Sequence, residues 1–261
     1  MFSKTIFKQT FISNFKLWLI FTLITSILNA VLIAVFEPNT ISGVTDMVKG
    51  TPLESMLQNT TFLGMLAQTF FSLHGVILPL VFIIMTANSL VASQVDRGSM
   101  AYLLSTPTKR NVVVGTQAAY LITSIIVMFA IVAIVGVAAI QIFQGNTDVI
   151  ISDYLLLNLG LLLLMFATSG ISFLFSCVFN LSKNSLAFGA GIPLAFFLFQ
   201  LMGQVSESLE GIKYISLNSL FDTDAILKGD GYMVQFVILA LVGIVLYAIG
   251  IRIFQEKDLP L

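Results

Sequence analysis

His74 and Cys177 are the only histidine and the only cysteine in the chain. That is too few to hold a metal, and a lone thiol cannot form an internal disulfide. Cys177 reads as a small buried hydrophobe rather than a reactive thiol. A Ser-His-Asp constellation would need an acid to converge on His74, and no Asp or Glu falls inside a greasy run. The chain also lacks a G-x-x-x-x-G-K-[ST] phosphate loop, and its paired glycines (Gly43–Gly50, Gly189–Gly191) do not open a helix after a strand. These absences exclude the commoner enzyme chemistries and leave no cofactor in this chain. The remaining charge gathers in one interruption, QVDRGSMAYLLSTPTKRNVVV from Gln94 to Val114. There Asp96, Arg97, Lys109 and Arg110 surround a short apolar patch.

The elements that must position this patch are membrane spans. Of 261 residues, 57% are hydrophobic and only 10% charged, with a mean hydropathy of +1.00. A soluble fold of this length could not hide that surface, whereas a bilayer accepts it. Formal net charge is −1, so no basic face points to nucleic acid. The runs are continuously apolar rather than alternating, which predicts helices and not a barrel. Crossing the hydrocarbon takes about 20 residues. Spans are expected at 17–36, 71–92, 112–143, 154–179, 185–202 and 233–254, giving an all-α membrane protein with six transmembrane helices in one transmembrane domain. The fifth is short and carries Gly189, Gly191 and Pro193. Pro79 and Pro193 should kink their helices.

The segments before the first span, after the second, after the fourth and after the sixth hold Lys4, Lys8, Lys16, Arg97, Lys109, Arg110, Lys183, Arg252 and Lys257. The opposite loops hold Lys49, Lys213 and Lys228. That bias places both termini and the Gln94–Val114 interruption in the cytoplasm. The first run is long for a signal sequence and is expected to be retained. Residues 1–16 mix Phe7, Phe11 and Phe15 with lysines, as an N-terminal interfacial helix would. Between 209 and 227, scattered Ile, Leu and Phe suggest either a re-entrant segment before the last helix or a capping loop.

Within the interruption, Met100, Leu103, Leu104 and Pro107 recur at i, i+3, i+4 and i+7 and share one face of a short helix. Asp96 or Ser99 could cap its start, and Pro107 ends it at Thr106. Such a helix either lies on lipid, with Lys109 and Arg110 at the headgroups, or presents an apolar knob to a soluble partner.

The stretch QVDRGSMAYLLSTPTKR resembles the first cytoplasmic loop of ABC-2 type permeases, the membrane subunits of ATP-binding-cassette exporters. Asp96, Gly98, Ser99, Leu103, Leu104, Pro107 and Arg110 fill that family's acidic, Gly-Ser, Leu-Leu, Pro and basic places. The ending IFQEKDLP is similar to the family's finish. Gln94 stands where the family often has Glu, and Thr116 near a frequent Lys. The resemblance implies that the loop is a coupling helix touching a separate ATPase subunit, which would bind ATP and Mg. Lys183, in the sequence SKNSL, would make a second contact. It further implies a second permease subunit, as homodimer or paralogous heterodimer, and export across a bacterial plasma membrane. On this reading Leu103→Asp should abolish ATPase binding without affecting insertion.

An independent argument reaches the same energy source. A charged side chain at the bilayer centre costs about 2.5–3.5 kcal/mol, and ion-driven carriers keep such residues nonetheless. The span interiors here contain no Asp, Glu, Lys or Arg. Energy is therefore expected from a partner. His74, Asn88, Asn158, Thr168, Gln200 and Gln204 are candidates for a substrate path, or else helix-to-helix hydrogen bonds. Apolar spans rich in Phe and Leu favour an amphipathic or hydrophobic cargo such as a peptide, antibiotic or lipid-like molecule. A stand-alone channel or ion-coupled carrier and a non-transporting scaffold or immunity protein are the alternatives.

Overall fold

The computed structural model describes residues 2–36, 61–105, 108–145, 149–205 and 215–258. Among them there is no strand, and six helices are long and apolar enough to cross a membrane. The first, α1, is Lys4–Val35. The second span is compound. It runs through α2 (Phe62–Leu66), a π-helical stretch at Ala67–His74, α3 (Gly75–Leu90) and α4 (Ala92–Asp96). After α5 (Ser99–Leu104) come α6 (Arg110–Phe143), α7 (Ile151–Val178) and α8 (Ser182–Val205). A 3₁₀ turn at Leu217–Leu220 and α9 (Thr223–Lys228) precede α10 (Tyr232–Glu256).

The spans are not equivalent. Of the most apolar stretch of α7, 67% is buried, and of the second span 61%, against 22% in α8 and 28% in α10. The first two form the centre, and the others turn a broad apolar face outward. α7 packs against α10, α8, α3 and α6, while α1 lies along α6. The α7–α10 crossing is close because Gly243 lets the Phe166 ring sit against its backbone, where a Cβ would overlap the ring. Phe166 also stacks on Tyr247, whose hydroxyl is 2.8 Å from Ser169 Oγ.

Residues 4–16 do not form a separate interfacial helix. Nothing between Lys4 and Val35 is Gly or Pro, so α1 continues unbroken for 32 residues, about 48 Å at 1.5 Å each. Its first turns have a protein partner. Ser3 N–H donates to Thr116 Oγ1 at 3.1 Å, Thr10 donates to Gln117 at 3.2 Å, and Phe7 meets Tyr120 edge-on. One side of the start of α1 therefore leans on the equally overlong α6, while Phe11, Ile12 and Phe15 on its other side stay exposed.

Pro79 and Pro193, expected to bend their helices, sit inside continuous helices, and the second span is interrupted at Val91, with φ −129° and ψ −71°. At the far end, Asp222 caps α9 by accepting from Asp224 and Ala225 N–H, and Gly229 closes it in the left-handed conformation at φ 74°. Phe221 and Ile226 are buried in the core, so this segment packs on α7, α8 and α10. Residues 209–214, where part of that segment was expected, lie outside the described residues.

Candidate coupling interface

The break at Val91 strands backbone groups in a buried place, where each would cost about 1–3 kcal/mol unpaired. Ser176 on α7 answers both sides. Its hydroxyl donates to Ala87 C=O at 2.8 Å and accepts Ala92 N–H at 3.0 Å. This fixes the angle at which α4 leaves the span. Gly98, at φ 72°, then reverses the chain into α5, a conformation that L residues adopt only at a cost.

The face of α5 is the opposite of the expected knob. Met100 is 1% exposed and belongs to the core, and Leu103 packs against it. Periodicity put these residues on one face, and burial turns that face inward. Tyr102 lies two positions from Met100, roughly 200° round the helix, and is 81% exposed. The residue presented outward is thus an aromatic the spacing passed over. Leu104 ends α5, and Pro107 lies outside the described residues. Leu103→Asp would put a carboxylate on a half-buried apolar contact, so it would disturb the fold as well as any surface.

Asp96 and Ser99 do not cap α5. Ser99 Oγ donates back to Gln94 C=O at 3.2 Å. Asp96 Oδ2 accepts the N–H of Ser182, the first residue of α8, at 3.1 Å. Asn88 Nδ2 donates to Ser182 Oγ at 2.7 Å. The two loops expected to touch a partner separately are therefore joined. Arg97, Lys109 and Lys183 are exposed around them. Arg110 faces inward instead and donates to Lys257 C=O at 2.9 Å, just past α10. Lys257 Nζ reaches Cys177 C=O at 3.0 Å, satisfying a carbonyl at the end of α7. Burial lowers the Lys257 pKa from its ordinary 10.5. Together with the Ser3–Thr116 contact, these bonds bring both ends of the described chain to the same end of the bundle as α5.

The proposed path residues do not converge. His74 Nδ1 lies 2.8 Å from Thr69 C=O, at the end of the π-helical stretch. Asn88 donates its Nδ2 to Ser182, while its buried Oδ1 has no partner among the described residues. Asn158 is buried and donates to Tyr154 C=O within its own helix. Gln200 accepts from Asn218 at 2.9 Å, tying α8 to the 3₁₀ turn. Thr168 is buried beside Ser169, and Gln204 contributes backbone to the last turn of α8. Asn88 and Gln200 thus serve as ties between elements.

A longer polar seam was missed by sequence reasoning. Gln117, Thr10, Asn14 and Ser89 link α6, α1 and α3, and Asn29 on α1 donates to Tyr154 Oη at 2.7 Å. Gln117 and Asn29 each interrupt an apolar run, and that interruption is the signal that marks them. Among the described residues no group of His, Cys, Asp and Glu could hold a metal ion.

A family model described as ABC-2 family transporter protein matches residues 8–259. The chain belongs to that family. Neither a search of curated proteins nor one of solved structures gave a match. As an ABC-2 transporter membrane protein with six apolar helices, it is a multi-pass membrane component of an ABC transporter system, in which ATP hydrolysis belongs to an ATPase partner rather than to the permease.

Proposed function

We propose that this chain is the permease subunit of an ATP-driven exporter in a bacterial plasma membrane, with both termini and α5 on the cytoplasmic side. The observation that carries the reading is the Tyr102 face of α5. It is an exposed aromatic on a helix whose other side is anchored in the core, and Arg97, Lys109 and Lys183 on the adjoining loops are exposed as well. A partner that grips Tyr102 could push on the bundle without unfolding its own handle. A second permease subunit, identical or paralogous, completes the pathway. Closure of two ATPases around ATP and Mg then shifts the subunit interface between inward- and outward-open forms. An amphipathic or hydrophobic cargo entering from the inner leaflet suits walls without buried charge, and apolar rim helices such as α8 and α10 leave lateral access.

The test is affinity capture of tagged chain from its native membrane in mild detergent, with Tyr102→Ala alongside. Recovery of an ATP-binding-cassette ATPase with wild type and its loss with Tyr102→Ala support the reading. An intact chain that brings down no such ATPase refutes it and favours the channel or scaffold alternative.

A further inference from the structure

The first turn of a helix leaves backbone N–H groups without intrahelical partners, and a carboxylate there is favoured by the helix dipole. At α8 the residue in the capping position is Leu181, which has no acceptor in its side chain. The acceptor comes from another element. Asp96, the last residue of α4, supplies Oδ2 to Ser182 N–H at 3.1 Å, across 86 residues of sequence. Asn88, near the end of α3, holds the same serine by its hydroxyl at 2.7 Å. Ser176 on α7 grips both sides of the hinge at Val91 at 2.8 and 3.0 Å. Asp96 lies two residues before Gly98, where α5 begins.

We infer that Asp96, with Asn88, clamps the α4–α5 elbow to the start of α8, so that the two loops at this end form one lever. A push on α5 is then delivered to α8 and, through the Ser176 hinge, to α7. Lys109 leads directly into α6, whereas Ser176 and Ser182, which bond the hinge and the elbow, lie on α7 and α8. α8 is also the least buried span, so it can be displaced at the smallest loss of packing. Asp96 and Asn88 are positioning residues in this scheme. The role in transport rests on the ATPase reading above, whereas the clamp itself does not.

The test measures distances between spin labels on the purified chain, with and without its captured ATPase. Cys177 is fully buried, so introduced cysteines carry the labels. Ser105→Cys with Leu186→Cys spans α5 to α8, and Ser105→Cys with Ile12→Cys spans α5 to α1. The expected result for the complex is a Ser105–Leu186 distance that stays narrow and unchanged between nucleotide-free and ATP-trapped states, while the Ser105–Ile12 distance shifts. A Ser105–Leu186 shift as large as the other, or no shift in either pair, overturns the lever. On the chain alone, Asp96→Ala with Asn88→Ala should lose the narrow Ser105–Leu186 population. Asp96→Asn, which keeps an acceptor oxygen, should retain it. An unchanged distribution in the double alanine variant overturns the clamp. Failure to recover an ATPase counts against the transport reading only, because the comparison on the chain alone still decides the clamp.

Discussion

Substituting Met100 and Tyr102 separately distinguishes anchor from handle. Met100 is 1% exposed and packed in the core, so Met100→Ala removes buried atoms and leaves a cavity. Large-to-small core changes of this kind cost about 2–5 kcal/mol. At about 2–4 °C per kcal/mol for a chain of this size, the melting temperature should fall by at least about 4 °C. Tyr102 is 81% exposed and buries little, so Tyr102→Ala should stay within about 0.5 kcal/mol of wild type. The assay heats detergent-solubilised protein and follows the remaining monodisperse peak, with partner recovery measured on the unheated sample. Tyr102→Ala should keep wild-type stability and lose the partner, and Met100→Ala should lose stability first. Equal destabilisation by both, or partner recovery unaffected by Tyr102→Ala, would refute the assignment of the two faces of α5.

Ser176→Ala strands Ala92 N–H and Ala87 C=O and should destabilise by about 1–3 kcal/mol in the same heating assay. Gly136→Ala would drive a methyl into Tyr154 Oη and break its bond with Asn29, whereas a Cβ at Gly191 would meet nothing within 4 Å among the described residues. The first should lower the melting temperature and Gly191→Ala should leave it unchanged or raise it. Lys257→Ala releases the end of α10 from Cys177 C=O. Maleimide labelling of the otherwise buried Cys177 should then accelerate relative to wild type. Burial lowers the Lys257 pKa below 10.5, so the unfolded chain binds the extra proton in the window between the lowered value and 10.5. Stability should rise with pH across that window, and this rise should disappear in Lys257→Met.

Both outcomes at α5 show why sequence reaches some features and not others. The i, i+3, i+4 spacing of Met100, Leu103 and Leu104 predicts a helix with one apolar face, and α5 exists where that spacing puts it. Spacing carries no direction, and in a loop beside a membrane an apolar face can meet lipid, partner or core. The Val91 break is a tertiary outcome, since Ser176, which bonds both sides of it, lies 85 residues beyond Val91 in sequence. Asp96 looked like a local cap because it stands just before a helix, and its true acceptor role needs Ser182 brought alongside. Ala187 and Gly191, a small-residue pair suited to helix contact, are exposed, and among the described residues a Cβ at Gly191 would meet nothing within 4 Å.

The sequence by itself determined the solvent, the number and order of the spans, and the lack of Asp, Glu, Lys and Arg inside them. These follow from composition and from runs of apolar residues about 20 long, which are local quantities. Tertiary structure alone decided which spans form the centre, which face of α5 is presented, and which polar side chains tie one helix to another. Each of those depends on a partner distant in the chain, because in a bilayer nearly every span is apolar on all sides and hydrophobicity no longer says which side is inside.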